Sequence, residues 1–156
     1  MTPPFREAPR ILRLFPLLGV LPWLLLAAVG CAATDPRVEL KGRVFTVDLA
    51  ETREAQARGL MFVEQMDADH GMLFIFPREA PRSFWMKNTR IPLDILYFDR
   101  ELALVSMARN ARPCVADPCP SYPSRGPAQY VLELNAGTAD ALGVAPGDRL
   151  TLLFEP

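Results

Sequence analysis

From residue 44 onward the chain is cut into short apolar runs by glycine, proline, asparagine and aspartate, and no stretch sustains the 3.6-residue apolar period of a long helix. Such a chain must build its core from strands. Residues 44–49 alternate as a half-buried strand, and residues 71–76 form a continuous apolar run closed by Pro77, which suits a strand buried on both faces. Further strands fit residues 83–87, 91–98, 101–107, 129–134 and 150–154, with Asp99 and Arg100 as a tight turn and Pro146-Gly147-Asp148 leading into the last. Two helical segments remain. Residues 52–61 carry helix formers after a capping position, with Gly59 as a stop or kink, and residues 135–143 end on Gly143. The pattern predicts a mainly β fold, an antiparallel sandwich or distorted barrel with two short helices. Helical bundles and doubly wound sheets are disfavoured.

The first thirty residues have a different grammar. Arg6, Arg10 and Arg13 precede an apolar stretch over residues 14–29, and Ala28-Val29-Gly30 supplies small residues before Cys31. This arrangement resembles the lipobox of bacterial lipoproteins, which implies cleavage before Cys31 and lipidation of its thiol. Pro16 and Pro22 count against a clean membrane-spanning helix. The expected organisation is a signal peptide at 1–30, a lipidated tether at 31–37 and a single mostly β domain at 38–156. Two or more acyl chains would hold the domain durably on a membrane. The expected address is the periplasmic side of a membrane, with the outer one favoured because Ala32 is not the aspartate that retains many such proteins at the inner one.

Removal of residues 1–30 takes away three arginines and Glu7 and leaves a formal charge of −3. Nucleic acid is therefore not an expected partner, since no block of cations is present to neutralise phosphates. Cys114 and Cys119 stand in a proline-punctuated loop, and an oxidising compartment predicts a disulfide between them. A ring this small stabilises by roughly 2 kcal/mol, so its task is to stiffen the loop. Metal and redox roles are disfavoured: the thiols lack the two-residue gap of zinc ribbons and thioredoxin-like pairs, and His70 is the only histidine. Met61, Met72 and Met86 lie in apolar runs, where packing explains them better than copper. No cofactor is expected.

Four motifs carry a resemblance. Arg58-Gly59-Leu60-Met61, Gly71-Met72-Leu73-Phe74, the long run from Phe84-Trp85-Met86-Lys87-Asn88-Thr89 to Ile91-Pro92-Leu93-Asp94-Ile95, and Tyr130-Val131-Leu132-Glu133-Leu134-Asn135-Ala136-Gly137 occur in the order and spacing of domain of unknown function family 192. The similarity covers residues 44–153. It implies a mostly β, jelly-roll-like fold and no established activity. The chain departs from the family's usual pattern at Val63, where a basic residue often stands, and at Glu101, where glycine is common.

Strand alternation turns the long motif into a site hypothesis. Phe84 and Met86 share one face, Trp85 and Lys87 the other. If Thr89 and Arg90 formed a two-residue hairpin turn, Trp85 would oppose Asp94, and Trp85, Lys87 and Asp94 would share a face. The expected binding residues are Trp85, Lys87, Asn88 and Asp94, joined by Arg58 and Glu133, lining a polar groove with an aromatic floor. The bland alternative pairs Lys87 with Asp94 across the hairpin. No catalytic signature is present: no Gly-x-Ser-x-Gly elbow, no His-Glu-x-x-His, no phosphate loop. The sequence therefore predicts a lipid-anchored envelope accessory domain that binds a small ligand, a glycan or a peptide segment. The alternatives are a small hydrolase using Asp94 and Glu133 as an acid and base pair, or a structural partner of an envelope protein through the cysteine loop.

Overall fold

The computed structural model describes residues 35–156. The signal segment and the lipidated Cys31 lie outside the described residues. Seven strands and two short helices follow one another as β1 (Arg37–Leu40), β2 (Arg43–Ala50), α1 (Arg53–Arg58), β3 (His70–Trp85), β4 (Leu93–Phe98), β5 (Leu104–Ala111), β6 (Ser121–Asn135), α2 (Thr138–Ala141) and β7 (Leu150–Leu152). They form one sheet in the order β5-β4-β6-β3-β2-β1-β7. The sheet curls into a half-barrel, so the distorted-barrel form of the expected fold is the one adopted. Among the described residues no helix is long and apolar enough to cross a membrane.

Burial explains the order. All six residues of β4 are buried, as are Val131, Leu132, Glu133 and Leu134 of β6, so both strands need cover on both faces and sit inside the sheet. β6 lies between β3 and β4, in register Leu73↔Leu132 on one side and Leu96↔Leu132 on the other. Alternation then sorts the side chains into two cores. Phe45, Leu73, Leu96, Phe98, Leu132 and Leu134 pack on one face, Phe74, Met86, Ile95, Tyr97 and Val131 on the other.

Three expectations are corrected. The hairpin at Thr89 and Arg90 does not form, because β6 takes the edge of β3 that β4 would have needed. The runs at 71–76 and 83–87 belong to one bent strand, β3, which keeps pairing with β6 past Pro77 through two register shifts. The turn after β4 is longer than two residues. The Asp99 backbone N–H donates to the Ala103 carbonyl, the Ala103 N–H donates to Asp99 Oδ1, and Leu102 takes a left-handed φ of 63°. The chain also starts its sheet earlier than expected: β1 begins at Arg37 and turns into β2 through Lys41 and Gly42, with φ of 54° and 79°, the conformation of a primed hairpin turn.

β2 and β3 run parallel, Thr46↔His70 to Ala50↔Phe74, and α1 is their crossover. Thr52 caps it, accepting a hydrogen bond from the Ala55 N–H at 3.1 Å. Gln56 pins it across both strands, its amide donating to Ala50 O at 3.2 Å and Ile75 O at 2.8 Å. Gly59 ends it with φ 47°, a conformation that disfavours a side chain, and a Cβ there would stand 3.3 Å from the Phe74 ring. The expected stop at Gly59 is where the helix stops.

Candidate functional site

α1 and the segment after it roof the sheet face that carries Phe74, Tyr97 and Val131, and between roof and sheet lies a small pocket, about 280 Å³ counting the open solvent at its mouth but only about 30 Å³ within. Four of the six expected binding residues line it: Arg58, Trp85, Lys87 and Glu133. They come from the end of α1, the end of β3 and its following turn, and the middle of β6.

Glu133 forms the floor. It is 4 % exposed and stands in register between Met72 of β3 and Ile95 of β4. Burial pushes its carboxyl up to about 8, and neither a hydrogen bond nor a neighbouring cation pulls it back. No fully enclosed side-chain oxygen among the described residues lacks a partner, so the free capacity of this carboxyl opens into the pocket rather than being sealed beneath it. The nearby Tyr97 hydroxyl is committed elsewhere, donating to the Tyr122 carbonyl. Burial, and secondarily the Glu133 charge, raises the Tyr97 pKa, so the phenol keeps its proton.

The wall is aromatic. Phe84 meets Phe74 edge to face at 4.9 Å and Tyr97 at 5.9 Å. Trp85 is 52 % exposed beside it, with the Lys87 ammonium 5.5 Å from its ring centroid. Lys87 is held there by Asp117, its Nζ donating at 2.8 Å. Asp117 belongs to the loop closed by the Cys114–Cys119 disulfide, and that loop is laced to the segment after β3: Cys114 N–H donates to Met86 O at 3.0 Å, Asn88 N–H to Cys114 O at 2.9 Å. The stiffened loop therefore fixes the pocket's cation. Sequence reasoning missed Asp117, which no spacing marks, and missed α1 as the roof.

Asn88 and Asp94 stand apart. Asn88 is a backbone pivot, with φ 57° and its carbonyl accepting from the Phe62 N–H at 2.8 Å. Asp94 neither opposes Trp85 nor pairs with Lys87, since β6 lies between their strands and Lys87 bonds Asp117. It is 1 % exposed beneath α2, where Oδ1 accepts from the Asn110 N–H and Oδ2 from the Ala139 N–H, both at 2.8 Å. The expected acid and base pair is corrected on the same ground. Asp94 is in register with Leu134 and Glu133 with Ile95, which places the two carboxylates on opposite faces of the sheet.

Gly71 keeps the floor tight. An added Cβ would lie 2.6 Å from the Glu133 carbonyl and 2.7 Å from Leu134 Cδ2, so only glycine lets β3 approach β6 this closely.

Among the described residues no cluster of histidine, cysteine or carboxylate side chains could hold a metal ion. The pocket offers one acid, two cations and an aromatic face, a set suited to recognising polar groups.

Known proteins share this architecture. A UPF0127 protein of Thermococcus sibiricus is 28% identical over 117 residues, 70% of this chain and 69% of its own length. A crystal structure of a candidate transcription regulator from Sinorhizobium meliloti 1021 superposes with a TM-score of 0.69 at 44% identity, covering 75% of this chain and 92% of its own. A protein of unknown function from Novosphingobium aromaticivorans superposes with a TM-score of 0.67 at 37% identity, over 74% and 81% of the two chains. The model of DUF192, described as an uncharacterized ACR, matches residues 36–152. With its diagnostic motifs folded around one pocket, the chain belongs to the DUF192 family.

Proposed function

We propose that this protein is a lipid-anchored accessory domain of the cell envelope that binds a glycan segment over the mouth of the small pocket between Trp85 and Glu133, one hydroxyl reaching inward. One observation carries the reading: a buried carboxyl with spare hydrogen-bonding capacity at the floor of a pocket whose lip is a half-exposed tryptophan. A carboxyl raised to about 8 keeps its proton at neutral pH and so offers a donor and an acceptor, the complement of a sugar hydroxyl. The free face of Trp85 suits the apolar face of a sugar ring. Arg58 and Lys87 add donors at the mouth.

The test is a thermal shift of the full chain in detergent with N-acetylglucosamine oligomers and with short peptides. A bound ligand raises the melting temperature by mass action. Trp85→Ala, at an exposed position, is expected to keep the unliganded melting temperature and lose the sugar-induced rise. A rise with peptides alone would replace glycan by peptide. No rise with either probe overturns the reading.

The anchor is tested separately. In cells fed radiolabelled palmitate, the wild-type chain is expected to take up label and Cys31→Ser to take up none. Equal labelling of the two, or none in either, removes lipidation at Cys31.

A further inference from the structure

A second recess shares Gln56 with the Trp85 pocket and is otherwise lined by the start of α1 and the part of β3 around Pro77. Its cavity volume is about 290 Å³, and three arginines line it: Arg53 from the first position of α1, Arg78 and Arg82 from β3. Glu51 is the one carboxylate in the lining. Among the described residues none of these four takes part in an ion pair, although six such pairs form elsewhere.

Arg82 is held in place before any ligand arrives. Its Nε donates to the Ala128 carbonyl at 3.0 Å, one terminal nitrogen donates to the Arg78 carbonyl, and the guanidinium lies 3.8 Å from the Phe76 ring centroid. Its other terminal nitrogen makes no hydrogen bond to the described residues. Partial burial first, and the charge of Arg78 second, lower the Arg82 pKa, so the fold bears a like-charge approach that no carboxylate relieves. Gln56 does not compete for a ligand, since its amide is committed to Ala50 O and Ile75 O.

We propose that this recess is an oxyanion site that takes a phosphate group, free or as an ester. A planar guanidinium fixed by two carbonyls and an aromatic ring presents its remaining N–H groups in one direction, and two more arginines at the rim can close on the other oxygens of a tetrahedral anion. Phosphate would supply counter-charge for three arginines that share one unpaired carboxylate, Glu51. The site is separate from the Trp85 pocket and stands or falls without it.

The test is calorimetric titration of the full chain in neutral detergent with inorganic phosphate and with glycerol 3-phosphate, at constant ionic strength so that general screening does not vary. The expected result is saturable binding, weakened roughly tenfold or more in Arg78→Glu and unchanged in Trp85→Ala. Tighter binding of the ester assigns the site to an esterified phosphate such as a headgroup, and tighter binding of the free ion assigns it to phosphate itself. Circular dichroism checks the fold of Arg78→Glu, and Arg53→Ala, at an exposed position, decides the matter if that variant does not fold. Saturation with neither probe, or saturation indifferent to both substitutions, overturns the proposal.

Discussion

Glu133→Gln is expected to make the protein more stable above neutral pH and to remove most of a pH dependence that the wild-type chain shows between about pH 4.5 and 8. The cause is the raised carboxyl: burial holds the Glu133 pKa at about 8 in the folded state, against an ordinary value of 4.5. Below pH 4.5 both states are protonated and stability is complete. As the pH rises the unfolded chain releases this proton while the folded chain keeps it, so the unfolded state binds fewer protons and stability falls. The loss levels off once the pH passes the folded value. At about 1.4 kcal/mol per unit of difference, it amounts to on the order of 3 kcal/mol between pH 4.5 and pH 7. Urea unfolding midpoints of both chains across that range measure it. The wild type should weaken as the pH rises, and glutamine, which reproduces the uncharged carboxyl, should not. Parallel curves for the two chains would show that Glu133 ionises as freely in the fold as outside it.

The same quantity bears on function. Among the described residues this carboxyl accepts no hydrogen bond that would offset its burial, so it lowers stability at neutral pH. Groups of this kind mark binding and catalytic sites, where stability is given up for recognition. Glu133 lines the pocket whose lip is Trp85, the place from which the proposed ligand would reach it.

Alternation was enough to read the faces of individual strands. Val131 and Glu133 do lie opposite Leu132 and Leu134, and Phe84 and Met86 do turn toward the same core as Phe74. Alternation carries no information about which strand lies beside which. The hairpin expectation at Thr89 and Arg90 rested on adjacency in sequence, yet the doubly buried run of β6 outcompeted it for the edge of β3. Because alternation fixes faces only within a strand, Phe84, Met86, Leu93 and Ile95 do share one core as expected, but with β6 between β3 and β4 Asp94 lies beneath α2, away from Trp85 and Lys87. A proline misled in a second way. Pro77 read as the end of a strand, but it lies within β3, beside the first of two register shifts, where a missing N–H costs the ladder little. Lys41-Gly42 was the clearest turn signal overlooked. The pocket's roof was legible only in part: Thr52 and Gly59 bounded α1, but that Gln56 ties it across β2 and β3 depends on a parallel pairing that nothing local announces.

Asp94→Ala is expected to be the most damaging single substitution near the family's long motif, although Asp94 touches no pocket. β5 carries a bulge opposite β4, with the register passing from Leu93↔Ala111 to Ile95↔Ala108 and Asn110 in a left-handed conformation at φ 50°. The N–H of Asn110 points out of the ladder and finds Asp94 Oδ1. α2 begins on Gly137, which has no side chain to cap it, and the N–H of Ala139 finds Oδ2 of the same carboxylate. One side chain thus holds a strand irregularity and a helix start together inside the core that contains Ala139 and Leu134. Alanine leaves the buried Ala139 N–H without an acceptor, at about 1–3 kcal/mol, and costs the part-buried Asn110 N–H less because water can reach it, for a combined loss of about 2–4 kcal/mol. An asparagine side chain in its place could accept only one of the two bonds and would present an NH₂ to the other donor, so Asp94→Asn is expected to recover only part of the loss. Chemical unfolding of the three chains orders them as aspartate above asparagine above alanine, and amide hydrogen exchange at Asn110 and Ala139 should accelerate in both variants ahead of the central strands. Equal stability of all three would mean that water satisfies these donors and that the bulge and α2 hold without the carboxylate. A glycan-induced thermal shift that survives in Asp94→Asn, at a temperature where this variant is folded, would separate the scaffold role of Asp94 from the recognition role proposed for Glu133.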